Sequence, residues 1–132
     1  MKELAFTISD AKKDLPICRE SIKNAAEEMG FKGNDLGDIV AAVFEACVNA
    51  VTYGCKSPSG TVNLRIRTYD ERFEAVVKDS GNGFPCPESL LMPSLDSSRG
   101  RGIPLMKKFM DEVVFEDDQG CKVTLTKYLK QQ

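Results

Sequence analysis

No histidine occurs anywhere in the 132 residues. That absence excludes Ser-His-Asp and Cys-His catalysis and removes the usual nitrogen ligand of a zinc site. The five cysteines, Cys18, Cys47, Cys55, Cys86 and Cys121, form no CxxC pair, so they read as free thiols, some of them small core residues. No apolar run reaches the ~18 residues of a membrane span, and the first ten residues hold no apolar segment of signal-peptide length. A cytoplasmic protein without membrane partners is expected. Positive charge is not in excess either: the net charge is −2, which argues against direct nucleic-acid binding.

What is present, 42% hydrophobic and 29% charged residues, suits a globular protein, and the length predicts a single domain over 1–132. The segment "ELAFTIS" alternates Leu4, Phe6 and Ile8 with polar neighbours and reads as a first strand. Asp14 is expected to cap a helix with Pro16 in its first turn, Ile17, Ile22, Ala25, Ala26 and Met29 on its inner side, and Gly30 at its end. A second helix, capped by Asn34 or Asp35, runs through the long apolar stretch Leu36 to Gly54. "TVNLRIRTYDERFEAVVKDSG" holds two alternating runs about a polar turn, a β-hairpin with Val62, Leu64 and Ile66 facing Phe73, Ala75 and Val77. A long Gly/Pro/Ser-rich loop from Gly81 to Gly102 precedes a third helix over about Ile103 to Asp111, and "EVVFE" and "KVTLTKYL" close the chain as a second hairpin. This order predicts a two-layer α/β sandwich, helices on one face of a mixed, largely antiparallel sheet.

Three polar features interrupt this apolar pattern. Asp38, Ala42, Glu45 and Asn49 share one stripe of the second helix. A carboxylate beside an amide carbonyl is a hard-oxygen set suited to Mg²⁺ and its waters; alternatively, Glu45 lies at a solvated helix edge and Asn49 satisfies a backbone group. Next, "VVKDSGNGFP" ends a strand in Asp79 and runs into Gly81 and Gly83. A buried carboxylate there can accept from an exocyclic amine such as that of adenine, or it can simply open a turn. Finally, in "SSRGRGIPLM", Gly100 and Gly102 precede a helix with Pro104 in its first turn, so backbone N–H groups beside Arg99 and Arg101 offer an anion cradle, or only a basic loop and an ordinary cap. Neither a P-loop nor a Rossmann fingerprint is present.

Together, "FEACVNAVTYG", "VKDSGNGF" and "GRGIPLMKKFMDEV" resemble the N, G1 and G2 boxes of the GHKL, or Bergerat-fold, ATPases, the histidine-kinase-type ATPase fold. Within that group the chain is most similar to the free-standing anti-sigma-factor serine/threonine kinases, and the resemblance covers nearly its whole length. It implies ATP and Mg²⁺ as cofactors, Asn49 as the Mg²⁺ ligand and Glu45 as general base. It further implies Asp79 as adenine anchor, Gly81 and Gly83 under the base, and Gly100 and Gly102 against the phosphates with Arg99 and Arg101 beside them. Two positions depart from the family pattern. Cys121 stands after Gly120 where a Thr usually helps to hold the adenine, and Pro104 replaces an ordinary helix former.

The function expected from the resemblance is an ATP-dependent protein kinase that sequesters a sigma factor and phosphorylates a serine of an anti-sigma-factor antagonist of the STAS type. The alternatives are a non-catalytic nucleotide-binding regulatory module and a detached histidine-kinase catalytic domain, whose phospho-acceptor histidine another chain must supply. Glu45 discriminates, since a binder needs no base beside the metal. A homodimer is also implied, with "ELAFTIS" available at a sheet edge. Leu90, Leu91, Met92 and Leu95 in the long loop suggest that it packs on the domain or meets a partner.

Overall fold

The computed structural model of the chain describes residues 1–54, 61–79, 97–117 and 121–130. In chain order the elements are β1 (Lys2–Ile8), α1 (Ala11–Met29), α2 (Gly33–Asn49), a π-helical turn (Ala50–Gly54), β2 (Val62–Thr68), β3 (Arg72–Asp79), α3 (Ser97–Phe109), β4 (Glu112–Asp117) and β5 (Cys121–Tyr128). The strands form one sheet in the order β1-β2-β3-β5-β4, and all four described pairings are antiparallel. The helices lie on one face. This is the expected two-layer sandwich, with no parallel pair among the described strands.

Period-two alternation decides which face of the sheet the helices cover. Val62, Leu64 and Ile66 of β2 and Phe73, Ala75 and Val77 of β3 are all at most 1% exposed, and Asn63 and Arg65 between them are open to solvent. Slipping either strand by one residue would put that apolar set in water. β1 and β4 are the two edges, so "ELAFTIS" does lie at a sheet edge. Over the sheet, α2 packs against α1 on one side and α3 on the other. Its Ile39, Val43 and Cys47 recur every four residues and are fully buried.

Several element ends differ from those the sequence suggests. α1 starts at Ala11, so Asp14 sits inside the first turn rather than at the cap. The Asp14 carboxylate reaches back, its Oδ2 accepting from the backbone N–H groups of Ser9 and Asp10 at 3.0 Å each, and so fixes the entry of the chain. Pro16 therefore falls in the second turn. Cys18, Ile22, Ala25 and Ala26 form the buried stripe, and Ile17, expected inside, is 51% exposed because it lies one position off that spacing. The helix ends as expected: Gly30, at φ 112°, supplies the left-handed residue that closes it, and the Phe31 N–H donates to Ala26 O at 3.1 Å. α2 starts at Gly33 after an extended Lys32, which puts Asn34 and Asp35 inside the first turn instead of at the cap.

The Asp14 contacts carry a pH dependence. The N–H groups of Asp10 and Ser9 hold the carboxyl below the ordinary carboxylate range. Stability from this depressed group is complete above its unfolded pKa of ~3.9 and is lost as pH falls through the folded value. Asp14→Ala should unfold at lower urea than the unaltered chain near neutral pH, and the difference should shrink in acid. A difference that stays constant with pH would assign the effect to something other than the carboxylate.

Candidate active site

The polar end of α2 is where its apolar pattern breaks down. Asp38 and Glu45 are half-buried, but Ala42 is 0% and Asn49 only 7% exposed, so the stripe follows the border of the buried face. Ala42 is packed into the core rather than leaving space beside the polar groups. Asn49 is the last α-helical residue, and its Nδ2 is buried without a hydrogen-bond partner. Burying an amide unpaired costs on the order of 1–3 kcal/mol, which a fold does not keep without a reason elsewhere. Glu45, one turn earlier, makes no hydrogen bond or ion pair among the described residues.

Immediately after Asn49 the helix widens into the π turn Ala50–Gly54, where the sequence pattern predicts a continuous helix to Gly54. Such turns are rare and are often found at functional sites. This one packs against β3. It thereby brings the end of α2 to the strand that terminates in Asp79.

Asp79 points to the helix-facing side of β3 and is 3% exposed. The backbone N–H of Cys121, the first residue of β5, donates to its carboxylate at 3.2 Å to Oδ1 and 3.3 Å to Oδ2. A carboxylate has about four acceptor positions, so this one donor does not by itself exhaust it. Cys121 thus takes part through its main chain as well as lying half-buried beside the same carboxylate. Sequence reasoning weighed only its thiol, because a backbone amide leaves no compositional signal.

α3 differs most from expectation. It begins at Ser97, so Arg99, Gly100, Arg101 and Gly102 fall on its first turns, and Pro104 is interior. Gly100 and Gly102 therefore lie within the helix and do not precede it as the sequence pattern predicts. The Gly and Pro boundary signals were overridden, at a cost: each interior Gly is worth about 1 kcal/mol against Ala, and Pro104 has no N–H for the carbonyl four residues back. The other end is firmly held. Ile103, Met106 and Met110 are buried, Lys127 Nζ donates to Phe109 O at 2.6 Å, and the Asp111 N–H donates to Thr126 O at 2.9 Å. Gly81 and Gly83 lie outside the described residues, as do Leu90, Leu91, Met92 and Leu95 of the long loop.

The chain matches known proteins over most of its length. Residues 8–127 match the histidine kinase-like ATPase domain family. Serine-protein kinase RsbW of Bacillus licheniformis is 35% identical over 127 residues, covering 88% of this chain and 79% of the relative. The protein of the same name from Bacillus subtilis is 34% identical over 124 residues, covering 86% and 77%. Among solved structures, the histidine kinase domain of the blue-light activated histidine kinase from Erythrobacter litoralis EL346 superposes with a TM-score of 0.57 at 21% identity, a likeness of fold. It is matched over 87% of this chain, which spans 61% of that one.

Because the Asn49 amide has no partner for its Nδ2, removing it sacrifices no hydrogen bond from that atom. Asn49→Ala should leave the unfolding free energy within about 1 kcal/mol of the unaltered chain in the absence of ligand. A loss above about 2 kcal/mol in urea unfolding would make Asn49 a structural residue.

Proposed function

We propose that this chain, which belongs to the histidine kinase-like ATPase family, is an ATP-dependent protein-serine/threonine kinase that acts as an anti-sigma factor. Its kinship with serine-protein kinases over more than four-fifths of its length supports the activity. The site observation that carries the reading is the pair at the end of α2: a buried amide without a partner for Nδ2, one turn beyond a half-buried carboxylate that bonds to nothing described. A partner-binding module that does no chemistry has no use for that carboxylate. The histidine-kinase alternative rests on a likeness of fold alone.

The residues fit a magnesium ion held jointly with the nucleotide. With Nδ2 untethered, the Asn49 amide can turn its oxygen outward, and no group of three or more Cys, Asp or Glu able to hold a metal by itself occurs among the described residues. Asn49 would therefore share the ion with phosphate oxygens and water, as Mg²⁺ sites in phosphoryl-transfer proteins commonly do. When bound, the ion would offset phosphate charge. Glu45 would take the proton of the attacking seryl hydroxyl as the phosphoryl group passes from ATP to that oxygen and ADP leaves. Asp79 accepts from the adenine amine, held in place by the Cys121 N–H. The family resemblance assigns Gly81 and Gly83 to the floor under the base and Arg99, Gly100, Arg101 and Gly102 to the phosphates. The weak first turns of α3 suit a segment that rearranges when nucleotide binds.

In this reading 1–132 forms a single kinase domain, cytoplasmic and homodimeric, with β1 available at the sheet edge. The partners are a sigma factor and a STAS-type antagonist whose serine receives the phosphoryl group.

Two variants separate binding from chemistry. Glu45→Ala should keep ATP affinity by calorimetry within a few-fold and lower phosphoryl transfer to a seryl substrate ~10²-fold or more, the usual contribution of a positioned base. Asp79→Asn should instead weaken ATP binding, because an amide can present N–H₂ to the adenine amine. No binding at millimolar Mg-ATP by the unaltered chain would overturn the kinase reading, and equal losses in both assays for Glu45→Ala would make that residue structural.

A further inference from the structure

Alternation along β5 turns Cys121, Val123, Leu125 and Lys127 towards the helices, and Val123 and Leu125 are buried there. One of the four is a cation. The Lys127 side chain is only 11% exposed, a setting in which an ammonium is costly unless it is paired. Its Nζ donates to the backbone carbonyl of Phe109 at 2.6 Å, whereas the Asp35 carboxylate, on a side chain 55% exposed, stands 4.0 Å away. The carbonyl is the close partner.

Phe109 is the last residue of α3, where the carbonyls of the final turn have no partner within the helix. No glycine follows to close it, because the chain runs through Met110 and Asp111 straight into β4. A lysine from another element does so instead, with its charge at the negative end of the helix dipole. Beside it the Met110 N–H donates to Met106 O at 3.0 Å and the Asp111 N–H to Thr126 O at 2.9 Å. The end of α3 is thereby tied to β5, the strand whose first amide holds Asp79.

The opposite end of α3 is intrinsically weak, since Gly100, Gly102 and Pro104 all fall in it. Burial of Ile103, Met106 and Met110 holds the helix down, but apolar burial is non-directional, whereas the bond to the Phe109 carbonyl fixes its setting along the axis. At ~1.5 Å per residue Ser97 lies roughly 18 Å from Phe109, so a tilt of about 3° at the held end moves the other by ~1 Å. An error of ~1 Å in the placing of reacting groups can cost on the order of 10²-fold in rate. We infer that Lys127 is a positioning residue for nucleotide use: it acts through the Phe109 carbonyl to set the pose of α3, and with it the residues assigned to the phosphates. Lys127 and Cys121 are at opposite ends of β5, roughly 20 Å apart, so the lysine acts on the nucleotide only through the helix. This inference rests on the kinase reading, in which Asp79 takes the adenine and α3 the phosphates. Loss of the lysine should therefore be felt by the phosphates and not by the base.

The test uses the full chain under conditions where urea curves show each variant to be folded. Lys127→Met keeps the length of the side chain and removes the donor, and Lys127→Arg restores one. With Mg²⁺ present, Lys127→Met should lower ATP affinity by calorimetry at least about tenfold while adenosine affinity, by ligand-observed NMR, stays within about twofold. Lys127→Arg should recover ATP affinity to within about threefold. Without nucleotide, amide exchange at Met110 and Asp111 should quicken in Lys127→Met. A merely structural lysine would move the urea midpoint and affect both ligands alike. If Lys127→Met does not fold, Lys127→Gln, whose amide keeps an N–H donor on a shorter arm, should show the same split to a smaller degree. Failure of the unaltered chain to bind Mg-ATP would overturn the kinase reading and this inference with it. ATP binding by the unaltered chain, combined with equal ATP affinity in the variant, a parallel loss for adenosine, no recovery with Lys127→Arg or unchanged amide exchange, would overturn this inference alone.

Discussion

The site hangs on the junction where β3 ends beside the start of β5, with the Asp79 carboxylate holding the Cys121 N–H. A carboxylate that is 3% exposed must be hydrogen-bonded or neutralised, since burial of an unpaired charge costs several kcal/mol. Here one donor is main chain, from the strand next door in the middle of the sheet. That gives the group a position as rigid as the sheet register. Any ligand donor directed at Asp79 meets an acceptor already fixed in place, and the side chain at position 121 can vary without loss of the amide that anchors it.

The second constraint is that one helix must be both the core and the rim of the site. α2 is packed on two sides by α1 and α3 and beneath by the sheet, and its Ile39, Val43, Ala46 and Cys47 are at most 2% exposed. Burial pushes the Cys47 thiol far above its ordinary pKa, and that of Cys18 upward as well, so both behave as small apolar residues and not as nucleophiles. Polar groups can enter such a helix only at its ends or along the border of its buried face. Glu45 and Asn49 are placed there, and the π turn then redirects the chain against β3.

Much of this was legible in the sequence, for a physical reason. Strand alternation in 62–66 and 73–77 survives any error in element ends, because a half-buried sheet has period two and a one-residue slip inverts it. Glu45, Asn49 and Asp79 stood out because they are costly groups in apolar surroundings. Element boundaries were harder. Helix caps at Asn34 or Asp35 and a helix start at Ile103 follow from local preferences worth about 1 kcal/mol each, which packing of Leu36, Ile39, Ile103 and Met106 outweighs. Ile17 shows the same limit: an apolar residue next to the stripe is not in it. The π turn left no trace in residue type, nor did the Cys121 amide.

Side-chain alternation also sets neighbouring residues of β3 and β5 on opposite faces of the sheet. Lys78 and Asp79, like Cys121 and Lys122, are adjacent in sequence yet point to opposite faces, so selection on one surface leaves the other side chain free to change. Their shared backbone is not free. The β3–β5 ladder that pairs Lys78 with Lys122 also sets the distance between Asp79 and the Cys121 N–H. That distance is already at the long end for a charge-assisted hydrogen bond, which tightens below about 3 Å. The side chains on the two faces are thus separate, but the ladder at positions 78 and 122 and the buried carboxylate at 79 share one stretch of backbone.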